Sequence, residues 1–413
     1  MTRVYLHTFG CKANQYDTEV VRQALERAGA VAVTDAAEAD MAVVNSCTVT
    51  HVAEAKLRCL VRRLTRVRPG IRTVVMGCAA ALDDGSLARL PGVAAVVAGS
   101  DTTRVLRSLD VASGTAEPLR SFAGAARAWL KIQDGCDEHC TFCATTLARG
   151  ANRSRALRDI VAEATMLAAS HQEIVLTGVH IGTYGRDLGA GMSLGRLVEE
   201  LVRRVPRVRF RLSSVEATEV DDRLAELMVA EPARLAPHLH APLQSASDRL
   251  LKRMGRHWYT ARAYRERVEW LAGRLTRFGL GADVIVGFPG ETLRDHSATL
   301  ALVAALPFTY LHVFPYSERP GAAARWLGQA VGAEVSASRA AELRATAAER
   351  GAAYRASRAG GTADIVLLRR QEGRYEGLTE DYLSVYLPAD RPAAPRLRAT
   401  LRRRGTMLVA EAA

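Results

Sequence analysis

Residues 135–150 read GCDEHCTFCATTLARG and crowd three of the chain's seven cysteines, Cys136, Cys140 and Cys143, into one short loop. Zinc fits this spacing poorly, because structural zinc sites take four ligands, usually from two short pairs. A 4Fe–4S cluster fits better. Such clusters are held by cysteine thiolates, and three thiolates leave one iron open to bind a substrate. Cys11, Cys47 and Cys78 are spread through the first fifth of the chain. Cys59 lies in an arginine-rich helical stretch, where a small buried apolar residue is the plain expectation.

The elements that must position these residues follow from hydrophobic patterning. Strand-like runs VYLHTFG (4–10), VAV (31–33), MAVVNS (41–46) and TVVMG (73–77) alternate with helical patterns near 20–30 and 50–68. That βα repeat predicts a parallel α/β sheet, Rossmann- or flavodoxin-like. Cys11, Cys47 and Cys78 each follow a predicted strand, and ligands of open α/β sheets bind beyond the carboxyl ends of strands. The three should therefore converge. From residue 126, six further runs recur between helical patterns: ARAWLKIQDG, EIVLTG, VRFRLSS, PHLHAPL, ADVIVGF and YLHVFPYS. They predict a partial, TIM-like β/α barrel. A helix from about 337 leads to DIVLL, GRYEGLT, DYLSVYL, RLRATL and TMLVAE, the pattern of a small β-barrel. PADRPAAP (388–395) reads as a loop inside it. The fold class is α/β, with domains at 1–112, 126–335 and 350–413.

The net charge is +12 and the pI about 9.7, mostly from arginine. This points to a polyanionic partner, nucleic acid before an acidic membrane surface. An alanine- and arginine-rich composition is an equally good explanation. Arginine clusters stand at 58–72 (Arg58, Arg62, Arg63, Arg66, Arg68, Arg72), 203–211 and 396–404; each alone reads as a solvated face. The opening MTRVYLHTFGCKANQYD lacks the long apolar run of a secretory signal. The longest apolar stretch, LALVAALPFTYLHVF (300–314), is broken by Pro307. No membrane association is expected, and the expected compartment is the cytoplasm, where clustered cysteines stay reduced. No GxxxxGK[ST] loop or GxSxG elbow supports nucleotide hydrolysis or esterase chemistry.

Taken together, the motifs resemble the methylthiotransferases, radical S-adenosylmethionine enzymes that insert a methylthio group at an unactivated C–H bond. The resemblance covers almost the whole chain. TFGCKANQYDTE (8–19), VVNSCTVT (43–50) and VVMGC (74–78) resemble the family's N-terminal cysteine segments, and IQDGCDEHCTFC (132–143) resembles its radical loop. HLHAPLQSASDRLLKRMGR (238–256), ADVIVGFPGET (282–292) and HVFPYSERPG (312–321) resemble its barrel landmarks, and GLTEDYLSVYL (377–387) resembles part of its RNA-binding terminal barrel, TRAM.

The resemblance implies two 4Fe–4S clusters, one on Cys136, Cys140 and Cys143 and one on Cys11, Cys47 and Cys78. It also implies S-adenosylmethionine as cofactor. One molecule methylates a sulfur on the auxiliary cluster, and a second is reductively cleaved to a 5′-deoxyadenosyl radical. Cofactor contacts are then expected from Phe142, Gly178, Val179, His180, Glu216, Gln244, Gly287 and Pro289. Five of them have a structural alternative: Phe142 as a cluster shield, His180 as a core histidine, Glu216 as a solvated carboxylate, Gly287 and Pro289 as a plain turn. Asp17 and Glu19 position substrate or cap a helix, and Arg149 reaches cofactor or RNA.

LTGVHIGTYGRDLG (176–189) and RLSSVEATE (211–219), with GCKANQYDTE, resemble the subfamily acting on N6-threonylcarbamoyladenosine at position 37 of tRNA. The expected partners are the tRNA anticodon loop and a low-potential electron donor such as flavodoxin or ferredoxin. A monomer is expected. The alternatives are isopentenyladenosine of tRNA, an aspartate of ribosomal protein S12, and a non-enzymatic iron–sulfur RNA-binding sensor. CATTLARG (143–150), GCAAAL (77–82) and Ala246 depart from the family's CIIPxARG-, GCYAQ- and PLQSGS-like patterns. None of these departures removes a cysteine.

Overall fold

The computed structural model describes residues 1–111, 117–388 and 394–412. The expected domain edge at 112 and most of the PADRPAAP segment lie outside them.

The N-terminal domain is a five-stranded, all-parallel sheet in the order β2-β1-β3-β4-β5. Its strands are β1 (Arg3–Thr8), β2 (Val31–Val33), β3 (Met41–Ser46), β4 (Arg72–Gly77) and β5 (Val93–Ala98). The helices are α1 (Lys12–Arg27), α2 (His51–Val67), the single turn α3 (Cys78–Ala81) and α4 (Thr102–Ser108). Strand β5 and helix α4 were not anticipated: VAAVVA is alanine-diluted and weakly patterned as a strand. The central strands β3 and β4 are buried on both faces and read as continuous apolar runs, as parallel strands covered by helices must. Separate apolar clusters fill the two faces, Leu57, Val61 and Leu64 of α2 on one and Val21 and Leu25 of α1 on the other.

The central domain carries six parallel strands in two three-stranded sheets. They are β6 (Arg127–Lys131), β9 (Glu173–Thr177) and β10 (Arg209–Leu212), then β11 (His238–His240), β12 (Gly279–Val286) and β13 (Tyr310–Pro315). Between β6 and β9 a minimal hairpin, β7 (Gln133–Asp134) with β8 (Arg153–Ser154), closes the cysteine loop at its base. Isolated parallel bridges Phe210↔Leu235 and Ser214↔His240 join the sheets, giving an open half-barrel. Helices α5 (Thr145–Arg149), α6 (Leu157–Ala168), α7 (Leu194–Arg204), α8 (Asp222–Ala230), α9 (Asp248–Arg253), α10 (Ala261–Ala272) and α11 (Leu293–Ala305) connect its strands. One large apolar cluster, including Ile132, Leu176, Leu212, Leu239, Leu280 and Val284, forms the core.

Helix α12 (Ala333–Arg358) packs on β13 and leads to a closed five-stranded barrel in the order β14-β15-β16-β18-β17. Its strands are β14 (Thr362–Gln371), β15 (Arg374–Thr379), β16 (Ser384–Pro388), β17 (Arg396–Arg404) and β18 (Met407–Ala412). Among the described residues no helix is long and apolar enough to cross a membrane.

Two sequence expectations are corrected. Cys59 is exposed on α2: the buried stripe of that helix is Leu57, Val61 and Leu64, and Cys59 falls off it. The arginine cluster at 203–211 is not one face. Arg203, Arg204 and Arg207 are exposed, whereas Arg209 and Arg211 are fully buried around Glu173. They donate onward to carbonyls of the C-terminal barrel, Arg209 Nη1 to Asp364 at 2.8 Å and Arg211 Nη2 to Thr379 at 3.0 Å. Strand alternation plus a buried carboxylate turns these two guanidinium groups into an interdomain rivet.

Candidate active site

Cys11, Cys47 and Cys78 stand where three parallel strands end. Cys11 caps α1 after β1, Cys47 follows β3, and Cys78 opens α3 after β4. The approach is close enough to dictate Gly10, which has φ +105°; a Cβ there would stand 3.1 Å from Cys47 Sγ. Asn14, one turn into α1, ties the end of β1 to the end of β3. Its Nδ2 donates to Phe9 O at 3.0 Å and Ser46 O at 2.8 Å, and its Oδ1 faces Cys11 Sγ at 3.7 Å.

Cys136, Cys140 and Cys143 lie on the loop between β7 and α5. Backbone N–H groups of Glu138 and Thr145 donate to Sγ of Cys136 at 3.4 Å and of Cys143 at 3.3 Å. Arg256 Nη1 donates to Cys140 Sγ at 3.6 Å, and His180 Nδ1 lies 3.5 Å from Cys136 Sγ. Such N–H···S contacts orient and tune thiolate ligands.

All six cysteines line one cavity of about 370 Å³. Phe142, Gly178, Val179, His180, Glu216 and Gln244 line it as well. Gly287 and Pro289 stand off this wall. The Gly287 N–H donates to Glu291 Oε2 at 2.6 Å, a Cβ on it would meet Ser336 Oγ of α12, and Pro289 O accepts from Arg253 Nε at 3.2 Å.

The donor set fits iron–sulfur clusters better than single zinc ions. Among the described residues only His240, Asp283 and His312 bring three ligand atoms within 4.8 Å of one another, so neither cysteine triad does. Thiolates on one tetrahedral zinc, with Zn–S of about 2.3 Å, would lie roughly 3.8 Å apart. The wider spacing leaves room for a multi-iron core. Burial pushes the thiols of Cys47 and Cys78 up, and that of Cys140 to about 12 against the pull of Arg256. Buried thiols of this kind stay protonated until a cation displaces the proton.

Several residues that organise the site escaped the sequence reading. Gln133 Oε1 accepts from the N–H groups of Val179 and His180, both at 3.0 Å, while its Nε2 donates to Gly135 O at 2.6 Å and Asn152 Oδ1 at 2.7 Å. It ties the cysteine loop to the loop after β9. Gly178 lets the two pass, since a Cβ there would stand 2.6 Å from Gln133 O. Arg256 ion-pairs with Glu216, whose buried Oε2 has no partner among the described residues; burial holds the Glu216 carboxyl above its usual range against the pull of Arg256. Burial alone would lower His180, but hydrogen bonds with Cys136 and Glu219 carry it to about 10. Nothing in one-dimensional spacing marks Gln133 or Arg256, because their partners are distant in sequence. Asn14 carried a signal, lying one helical turn after Cys11.

Arg149 is buried against Cys78 of the N-terminal triad. Nε donates to Cys78 Sγ at 3.2 Å, Nη1 to Asp134 Oδ1 at 2.8 Å, and Nη2 to Asn14 Oδ1 at 2.6 Å and Asp17 Oδ2 at 3.0 Å. Burial would raise Asp134, yet Lys131 and Arg149 hold it down to about 2. Asp17 therefore belongs to an interdomain ion-pair network with Arg149 and Lys131 rather than to a helix cap. Glu19 pairs with Arg22.

Comparison with known proteins agrees with this architecture. Residues 3–99 match the Uncharacterized protein family UPF0004, and residues 130–303 match the Radical SAM superfamily. The threonylcarbamoyladenosine tRNA methylthiotransferase MtaB of Bacillus subtilis is 34% identical, covering 93% of this chain and 90% of that protein. Its Thermotoga maritima namesake is 37% identical over 78% and 76%. A tRNA-2-methylthio-N(6)-dimethylallyladenosine synthase of Syntrophobacter fumaroxidans is 34% identical over 84% and 80%. Among solved structures, the radical S-adenosylmethionine methyltransferase TsrM of Kitasatospora setae superposes with TM-score 0.58 at 16% identity, covering 76% of this chain and 72% of that one. That last likeness speaks to fold alone.

Proposed function

The chain belongs to the radical S-adenosylmethionine methylthiotransferases, and from that premise we propose that it inserts a methylthio group at C2 of N6-threonylcarbamoyladenosine at position 37 of tRNA. The observation that carries this reading is the meeting of two cysteine triads, from two domains, on one cavity. A centre that activates a C–H bond and a centre that supplies sulfur must both reach one carbon, and a shared cavity permits it. The substrate is favoured by relatives 34–37% identical that bear the threonylcarbamoyladenosine name.

Cys136, Cys140 and Cys143 would hold one 4Fe–4S cluster, and Cys11, Cys47 and Cys78 the other. When bound, the clusters and S-adenosylmethionine supply an adenosyl radical and the sulfur to be transferred. The protein's part is placement. Gln133 sets the loop of Gly178, Val179 and His180 against the radical loop, where backbone groups can receive the cofactor. Arg256 holds Glu216 on the wall, with Oε2 left without a partner among the described residues. Phe142, between two of the cysteines, offers an apolar face that excludes water. The open half-barrel leaves a side through which an extruded base can enter, as enzymes acting on nucleobases require.

The RNA-binding role falls to the C-terminal barrel, where Arg398, Arg402, Arg403 and Arg404 are exposed, together with Arg62, Arg63, Arg66 and Arg68 on α2. Arginine on such surfaces suits phosphate contacts. The partners in this reading are the tRNA anticodon loop and a low-potential donor such as flavodoxin or ferredoxin, acting in the cytoplasm on a monomeric enzyme.

The test is nucleoside mass spectrometry of bulk tRNA from cells with and without the gene. Loss of 2-methylthio-threonylcarbamoyladenosine, with its unmethylthiolated precursor rising, is the expected result. Loss of the methylthio-isopentenyladenosine signal instead would reassign the substrate within tRNA. An unchanged profile would overturn the tRNA reading and point to ribosomal protein S12.

A further inference from the structure

Beside the six-cysteine cavity lies a second one of about 210 Å³, and the two share Val49, Phe142, Cys143, Thr145, Gln244 and Asp283 as a common wall. Tyr316 and Arg319, which follow β13, build another side of it. Arg319 is only 2% exposed. Its Nη2 donates to Thr48 Oγ1 at 3.0 Å and ion-pairs with Glu54. Its Nε and Nη1 have no hydrogen-bond partner among the described residues, and neither does the Tyr316 hydroxyl.

Native interiors rarely leave charged donors unmade, and a buried guanidinium with spare N–H groups wants an anionic acceptor. Glu54 meets Nη2 alone, and among the described residues no second carboxylate reaches Nε or Nη1. Asp283, the one carboxylate lining this cavity, is engaged by His240 and His312, each at 3.1 Å. Thr145 and Ser317 add hydroxyl-bearing side chains to the lining. The cavity is thus a mostly apolar recess with Arg319 and Tyr316 in its wall, one wall away from the place where a reacting carbon must sit.

We propose that Arg319 and Tyr316 form an oxyanion subsite that takes an anionic group of the substrate nucleotide. The proposal rests on the tRNA reading above. That substrate offers two groups of this chemistry: the carboxylate of the threonylcarbamoyl side chain and a phosphate flanking the target adenosine. Thr48 links the subsite to the sulfur-donor side, because it follows Cys47 directly and is itself gripped by Arg319. An anion seated here holds the nucleotide against both cysteine triads at once.

The test uses the cluster-reconstituted enzyme and three anticodon stem–loop RNAs. One carries threonylcarbamoyladenosine, one its carboxylate methyl ester, and one a methylphosphonate beside the target adenosine. Binding is read by fluorescence anisotropy and turnover as kcat/KM. Wild-type protein should bind the parent RNA about ten- to a hundredfold more tightly than one neutralised RNA, the range of a charge-assisted hydrogen bond. Whichever neutralised RNA weakens identifies the anion. Arg319→Met should bind all three alike. Tyr316→Phe, which removes only a hydroxyl, should lose part of the preference and serves alone if Arg319→Met fails to take up iron. No preference in the wild type, or an unchanged preference in both variants, would overturn the subsite. Turnover of an isopentenyladenosine stem–loop but not of the parent would instead overturn the substrate reading, and the methylphosphonate comparison would then judge the subsite.

Discussion

Arg149, on the helix that follows the radical loop, donates through Nε to Cys78 Sγ in the other domain at 3.2 Å. One guanidinium thus touches a cysteine of the N-terminal triad while its other nitrogens hold Asp134, Asn14 and Asp17. Arg149 is one of the contacts that join the two domains, with Lys131–Asp17 and Arg319–Glu54. Arg149→Met leaves buried Asp17 and half-buried Asp134 with Lys131 as their one remaining cation among the described residues and should cost roughly 1–3 kcal/mol, read as a fall in the urea midpoint. It should also lower the yield of methylthio product per S-adenosylmethionine cleaved. An unchanged ratio would show that Arg149 does not couple the triads.

The two triads should separate by function. Alanine at Cys136, Cys140 or Cys143 should abolish cofactor cleavage. Alanine at Cys11, Cys47 or Cys78 should spare cleavage and stop sulfur insertion. Wild-type protein should hold about eight irons per chain, and either class of variant about four. Full product from a Cys47→Ala variant would sink the assignment, as would zinc in place of iron.

Gln133 predicts a binding defect with little loss of iron. Gln133→Leu leaves the N–H groups of Val179 and His180 without their acceptor, at a cost of roughly 1–3 kcal/mol for each buried group. The KM for S-adenosylmethionine should rise about tenfold or more, while iron content stays near wild type. An unchanged KM would mean that the loop after β9 does not receive the cofactor.

Acid should loosen the C-terminal barrel. Burial would raise the Glu173 carboxyl, but Arg211 and Arg209 overcome it and hold it well below the usual carboxylate range. A depressed carboxyl stabilises above its unfolded pKa of about 4.3 and loses that contribution as pH falls toward the folded value. Docking should therefore weaken progressively below about pH 4, seen as faster proteolysis between α12 and β14. Glu173→Gln should weaken docking already at neutral pH and flatten the acid dependence. A variant as resistant as wild type at both pH values would rule out the rivet.

Much of this protein is written locally. The loop spacing of Cys136, Cys140 and Cys143, the strand-ending positions of Cys11, Cys47 and Cys78, and the succession of α/β domain, half-barrel and small barrel all follow from period and neighbour relations along the chain. Convergence of the first three cysteines follows too, because parallel strands deliver their carboxyl ends to one edge of a sheet. What the chain could not declare were contacts between residues far apart in sequence. Gln133 with the loop after β9, Arg256 with Cys140, and Arg149 with Cys78 each depend on how whole elements pack. The arginines at 209 and 211 looked like members of a charged surface run. Only the fold, by placing Glu173 on the neighbouring strand, gave them an anionic partner where they are buried. Arg319 is the same case: its sequence neighbours give no hint that it is sealed beside the radical loop with donors to spare.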